Sequence, residues 1–288
     1  MSLNSLIFCH MCKKADSKRD AGLTTPSDID RFDNIIYGTD NKWQSLDIYR
    51  PKDLPNPSPV IVSVHGGGWV YGNKEIYQFY CMNLAQRGFC VVNFSYRLAP
   101  KHRFPAALED TNAVFEWLIK NADRYGFDTN NIFALGDSAG AQILAIYSCI
   151  LTNPEYASRY SFNAPDDLKL KGIALNCGVY AAKDMDRPLY FRDFLPGKGT
   201  AAELSTLSPA SFVTKDFPAS FVMTANCDEL KAQAPFMVGA LEKAGVKHIF
   251  REYGSDDNKL YHVFHCNIRS EDAKKANDDE CSFFRSLI

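Results

Sequence analysis

A chain of 288 residues with 46% hydrophobic and 23% charged side chains has the balance of an ordinary globular protein, long enough to bury one large core, which excludes a disordered chain. Lysine plus arginine number 32 against 34 acidic residues, so no strong field exists to recruit nucleic acid or an anionic membrane surface, and a small, roughly neutral substrate fits better. Apolar runs such as Val60 to Val64 fall far short of the roughly 20 residues of a membrane-spanning helix, so no span is expected.

Residues 1–32 are polar and charged and read as a lid element or a mobile N-terminal segment. Met1 to Phe8 has a brief apolar patch without a basic stretch ahead of it or a small-residue cleavage site behind it, and the expected location is the cytoplasm. The nine cysteines, an odd number scattered from Cys9 to Cys281, make a poor disulfide framework and suit a reducing compartment. Cys9, His10 and Cys12 have the residue types of a metal cluster, but no second cysteine pair follows at zinc-site spacing, and no metal site is expected.

Asn34 to Tyr37 and Ser45 to Tyr49 form an expected antiparallel pair joined through Gly38-Thr39-Asp40-Asn41. Six further strands follow: Val60 to Val64, Cys90 to Phe94, Ile132 to Leu135, Leu170 to Leu175, Ala219 to Thr224 and His248 to Tyr253. Between them, Ala113, Val114, Trp117 and Leu118 recur at one-face helical spacing, as do Ala234, Met237, Leu241 and Ala244, after which Gly245 ends the helix. The last stretch, Glu271 to Ile288, can set Ala273, Ala276, Phe284 and Leu287 along one stripe. Strands alternating with helices predict one α/β domain over residues 1–288, a mostly parallel sheet of about eight strands with helices on both faces. Residues 178–216, where aromatics mix with Pro, Gly and Ser, break the alternation and are a second lid candidate.

His65-Gly66-Gly67-Gly68-Trp69 follows the strand Val60 to Val64. Three bare glycines let backbone N–H groups approach a substrate oxygen, which is how an oxyanion hole is built, whereas a phosphate-cradling loop would need a Gly-Lys-Ser/Thr ending that is missing. His65 reads as an anchor of that loop. Gly136-Asp137-Ser138-Ala139-Gly140 sits directly between the strand Ile132 to Leu135 and the apolar run Ile143 to Leu151. A serine on such a strand-to-helix turn needs small neighbours and projects its hydroxyl above the sheet edge, making Ser138 the candidate nucleophile.

A serine hydroxyl needs a histidine to take its proton and a carboxylate to fix that histidine, in the chain order Ser, Asp or Glu, His. Only His248, His262 and His265 follow Ser138. His248 opens a predicted strand; His262 lies in a loop beyond a strand end and is chosen, with His265 the alternative. Asp228 follows the strand Ala219 to Thr224 and is the candidate acid, with neighbouring Glu229 the alternative. Asp137 precedes the nucleophile and is expected to point elsewhere.

With these residues assembled, the chain resembles the hormone-sensitive-lipase-like, or bacterial family IV, esterases of the α/β-hydrolase fold over roughly residues 45–288. The resemblance is carried by His65 to Trp69, Tyr96 to Asp110, Gly136 to Gly140, Asp228-Glu229-Leu230 and His262-Val263-Phe264. It implies Ser138 as nucleophile, His262 as base, Asp228 as orienting acid, and the N–H groups of Gly67, Gly68 and Ala139 as oxyanion donors, with no cofactor. Members of that family often pair as dimers, which makes a homodimer an expectation. Bulky Trp69, Tyr190, Phe191 and Phe194 near the expected pocket predict binding of short acyl chains, an acetylated sugar being one such ester. Two rival readings are a kynurenine-formamidase-like amidase with the same triad and a non-catalytic ligand-binding homologue; an epoxide or haloalkane hydrolase would carry aspartate at position 138.

Overall fold

The computed structural model describes residues 1–184 and 191–288. Its strands are β1 (Ile29–Ile36), β2 (Ser45–Pro51), β3 (Ser58–Val64), β4 (Cys90–Phe94), β5 (Phe127–Asp137), β6 (Leu170–Asn176), β7 (Ala219–Ala225) and β8 (His248–Tyr253). They form one sheet in the order β1-β2-β4-β3-β5-β6-β7-β8. β1 and β2 are antiparallel to their neighbours, and every pairing from β4 through β8 is parallel.

The helices are α1 (Leu3–Asp20), α2 (Lys74–Ala85), α3 (Ala106–Lys120), α4 (Ala122–Tyr125), α5 (Ala139–Thr152), α6 (Pro154–Ala157), α7 (Phe191–Phe194), α8 (Ala201–Thr206), α9 (Ala234–Ala244) and α10 (Glu271–Arg285). Val60, Val62 and Val64 of β3 face the side covered by α3, α5 and α9, while Ile61 faces the side covered by α2 and α10. A parallel strand covered on both faces must be apolar throughout, which is why Val60 to Val64 reads as an unbroken run. Under α10, Phe284 stacks on Phe133 at 4.8 Å, both completely buried, a contribution of about 1.5–3 kcal/mol per side chain. Helix α9 stops where Gly245 takes a left-handed φ of 69°.

Two readings change. The N-terminal segment is not mobile coil: residues 3–20 are helical, with Ser2 as N-cap accepting from the Ser5 N–H. Cys9 and Cys12 turn inward while His10 faces water, and among the described residues the three do not gather as metal ligands. The first strand begins at Ile29, inside the stretch taken for a lid. It is an edge strand whose residues are mostly exposed, and its register shifts between Phe32 and Ile35 around Asn34 at φ 59°, so it carries no apolar alternation to read.

The described residues between Gly178 and Asp216 include short helical turns that pack inward: Leu195, Leu204 and Leu207 are buried, and α8 carries a capping box between Thr200 and Glu203. All nine cysteines are free, and among the described residues no helix is long and apolar enough to cross a membrane.

Candidate active site

β5 ends in Asp137, and Ser138 turns the chain into α5 with φ 53° and ψ −118°, a conformation that an L side chain adopts only under strain. The Ser138 N–H is held by the carbonyl of Asn176 at the end of β6, at 2.8 Å. Both flanking glycines are obligatory. A methyl group on Gly136 would stand 2.6 Å from the Gly140 carbonyl, and one on Gly140 would collide with the carbonyls of Val64 and His65. The turn is therefore wedged directly against the glycine loop that follows β3.

That loop is built from residues with positive φ: Gly67 at 118°, Gly68 at 58° and Trp69 at 62°. A side chain on Gly67 would strike the Tyr71 carbonyl. His65 anchors the loop. Its ring is completely buried and stacked on Tyr96 at 4.0 Å, its Nδ1 meets the Gly66 carbonyl at 2.7 Å, and burial pushes its pKa down to about 4, so it stays neutral. Tyr96 also donates its hydroxyl to the His65 carbonyl at 2.8 Å. Arg97 and Gln44 both bind the buried Asp110, and Arg97 also pairs with Glu109, so the segment Tyr96 to Asp110 buttresses the loop.

The structure brings Ser138, His262 and Asp228 into one hydrogen-bonded line. Ser138 Oγ lies 2.9 Å from His262 Nε2, and His262 Nδ1 lies 2.7 Å from Asp228 Oδ1. Asp228 accepts further from the Leu230 N–H at 2.9 Å and, on its other oxygen, from Thr224 Oγ1 at 2.9 Å. Burial alone would raise the Asp228 pKa, but hydrogen bonds and the adjacent imidazole hold it below the ordinary carboxylate value. Burial likewise disfavours a charged His262, yet the Asp228 carboxylate outweighs it and raises the imidazole pKa. An ionised Asp228 accepts from Nδ1–H, which leaves Nε2 free to receive the serine proton.

His265 and His248 are placed elsewhere. His265 is completely buried against Tyr80, and its pKa falls to about 3, chiefly through burial; His248 Nδ1 binds the Val246 carbonyl. Glu229 points into solvent. Trp69 is packed flat against Phe194 at 4.7 Å. Tyr190 and the side chain of Phe191 lie outside the described residues.

Several groups have supporting roles that the sequence does not show. Asp137 does point away from His262, but into a role: its carboxylate accepts from the Tyr77 hydroxyl at 2.7 Å and from the Gly66 N–H at 3.2 Å, tying the serine turn to the glycine loop. Its complete burial lifts its pKa to about 6. Behind Asn176, Glu280 accepts from the Asn176 amide at 2.6 Å and is lifted to about 7, again chiefly by burial. Cys177, at φ 51°, backs Asp228 with its thiol, the Sγ, a carboxylate oxygen and a His262 ring nitrogen lying within 4.8 Å of one another. Tyr77 lies on α2 and Glu280 on α10, more than 50 residues either side of the motif, so no local signal marks them.

The BD-FAE family model matches residues 46–234, a span that contains the glycine loop, Ser138 and Asp228. The chain belongs to the BD-FAE family. This member of the hormone-sensitive-lipase-like α/β-hydrolases is 29% identical over 240 residues to esterase LipC of Mycobacterium tuberculosis, covering 75% of this chain and 59% of that protein. It is 30% identical over 228 residues to the ethyl acetate hydrolase of Pseudomonas putida, covering 69% and 65% respectively. The BD-FAE chain thus spans less than two thirds of the length of these curated relatives. Its fold superimposes on the crystal structure of esterase B from Lactobacillus rhamnosis with a TM-score of 0.90 at 23% identity, covering 98% of this chain and 93% of that one.

Proposed function

We propose that this protein is a serine carboxylesterase of the cytoplasm that hydrolyses short-chain acyl esters through an acyl-enzyme intermediate. The observation that carries the proposal is the unbroken line from Ser138 Oγ through His262 to the buried Asp228, set on a strained turn wedged against a glycine loop with positive φ. In the first step the serine oxygen attacks the ester carbonyl as its proton passes to His262 Nε2. The carbonyl oxygen becomes an oxyanion held by the N–H groups of Gly67, Gly68 and Ala139, and Asp228 stabilises the imidazolium. Collapse of this intermediate expels the alcohol, which takes the proton from His262. Water then attacks the acyl-enzyme, giving up its proton to the same nitrogen, and the acid leaves as Ser138 regains its hydrogen. Side chains and backbone supply every group these steps need.

A short acyl portion is supported by the flat Trp69–Phe194 stack beside the glycine loop and by the kinship with an ethyl acetate hydrolase. Acetyl groups on sugars are one member of that class. Nine free cysteines support a reducing location. The test is hydrolysis of a p-nitrophenyl ester series from acetate to long chains, with Ser138→Ala alongside and formyl-kynurenine as a separate substrate. Fast acetate or butyrate cleavage that vanishes in the variant supports the reading. Retained turnover in Ser138→Ala refutes the nucleophile; a long-chain optimum refutes the short-chain preference; formyl-amide cleavage without ester cleavage makes the enzyme an amidase.

A further inference from the structure

Helix α1 carries apolar residues on its outer face as well as its inner one. Its fully buried residue is Ser5, whereas Leu3, Leu6, Ile7 and Met11 are 71%, 53%, 51% and 65% exposed. Their spacing puts all four on one face, an apolar patch that also includes the exposed His10. The inward face is mixed: Phe8 and Cys9 pack against the core, and the polar groups beside them are engaged. Ser5 Oγ donates to Asp193, Asp16 accepts from the Tyr71 hydroxyl, and Arg19 pairs with Asp16 and Asp20 and donates to the Ile76 carbonyl. Solubility would favour a polar outer face, so the outward apolar face needs an occupant.

The rest of the exposed face identifies that occupant. Lys14 and Lys18 continue the line of Ile7 and Met11 toward the C-terminal half, Lys13 flanks them, and all three are exposed. Both carboxylates of the helix are held inward by Arg19, so the outward face runs from apolar to cationic without an acidic residue. An anionic lipid surface matches both halves, taking the apolar side chains at the acyl boundary and the ammonium groups at the phosphates. The near-neutral total charge hides this local concentration of cations.

We propose that α1 docks this protein on an anionic phospholipid surface, with Leu3, Leu6, Ile7 and Met11 entering the interface and Lys13, Lys14 and Lys18 resting on the headgroups. The inward side of the helix lies on the segment just past the glycine loop, where the Cys9 thiol donates to the Val70 carbonyl at 3.6 Å and Asp16 meets Tyr71 at 2.8 Å. Docking therefore brings the candidate active site to the lipid surface, where apolar esters concentrate. That consequence rests on the esterase reading; the binding itself does not.

The experiment is co-sedimentation of the full chain with vesicles of phosphatidylcholine alone and of phosphatidylcholine mixed with phosphatidylglycerol, at low and high salt. Binding is expected on the mixed vesicles, weakened by salt. Leu6→Asp with Ile7→Asp should lower partitioning on the order of a hundred-fold or more, since each buried aliphatic side chain contributes at least about ten-fold. Reversing Lys13, Lys14 and Lys18 to Glu should lower binding to the anionic vesicles alone, again on the order of a hundred-fold, from about five-fold per charge. Both variants should keep their circular dichroism and their turnover of dissolved p-nitrophenyl acetate; loss of that turnover in wild type as well would sink the esterase reading and leave the docking result standing. The proposal fails if wild type ignores the mixed vesicles, if neither variant changes its binding, or if sedimentation velocity shows the apolar face paired with a second copy while vesicles stay bare.

Discussion

Replacing Asp137 by Asn should abolish a stability change that the wild-type protein undergoes between about pH 4 and about pH 6. Asp137 is 1% exposed, and burial lifts its pKa from 3.8 to about 6. A raised native-state carboxyl holds its proton where the unfolded chain has released it, so its contribution is present at low pH and is lost as pH rises through the folded value. A displacement of about two units corresponds to about 3 kcal/mol. Asparagine carries no such proton, yet its amide oxygen can still accept from the Gly66 N–H and its amide nitrogen can still face the Tyr77 hydroxyl. The stability of the variant relative to wild type should therefore rise by about 3 kcal/mol from the acid end of the window to neutrality. Urea unfolding at a series of pH values measures this directly. Glu280 titrates with the same sign and is itself raised in part by Asp137, so it cancels only in part and the variant's own Glu280 step should shift to lower pH. Wild-type and variant curves that run parallel across the window would refute the reasoning. Alanine at the same position leaves the Tyr77 hydroxyl without its acceptor and should cost about 1–3 kcal/mol at every pH.

The acidic limb of kcat/KM should follow His262, whose neutral form takes the serine proton, with activity falling as pH drops through a pKa that Asp228 has raised; Asp228→Asn should move that limb to lower pH and cut the rate on the order of a thousand-fold or more, and a limb that stays put in the pH–rate profile would contradict the pairing. Gly140→Ala drives a methyl group into the Val64 and His65 carbonyls and should destabilise by about 2 kcal/mol or more. Gly239→Ala, in the exposed middle of α9 with open space around it, should stabilise by about 0.5–1 kcal/mol, and thermal melts distinguish the two. Tyr96→Phe keeps the ring on His65 but removes the donor to its carbonyl, and a loss of about 1 kcal/mol in chemical denaturation is expected.

Where a strand is buried on both faces, its sequence announces it. Cys90 to Phe94 is buried throughout and its ends coincide with β4; His248 to Tyr253 coincides with β8 although that edge strand is only partly buried. β1 gives no such signal because an edge strand with a bulge at Asn34 buries little. Helix α1 was illegible for a related reason: apolar residues on both its outer and its inner side leave no single stripe to read. At the site, the Ser138 motif was legible because the backbone geometry itself demands Gly136 and Gly140. Which histidine meets it depends on how the loop after β8 returns to the sheet edge, and a gap of a few residues separates His262 from the buried His265. The segment Tyr96 to Asp110 was recognisable only by resemblance, since its purpose is a three-dimensional one: Gln44 before β2, Arg97 after β4 and Asp110 of α3 meet in space. Asp137 was legible only in the negative, as pointing away from the triad, because its partner Tyr77 stands on the helix α2 after the glycine loop.

Helix α5, whose N-terminal end follows the serine turn, has no outer surface along its first twelve residues: every residue from Ala139 to Ile150 is buried. An ordinary surface helix tolerates drift on the half that meets water, because changes there cost little. α5 has no such half, so each substitution lands in the core and is judged by volume. Random mutagenesis should find this helix almost silent. Whatever diversity of substrate such a scaffold acquires must enter through the segments beyond β4, β6 and β8, while the piece that aims the hydroxyl stays fixed across generations of change.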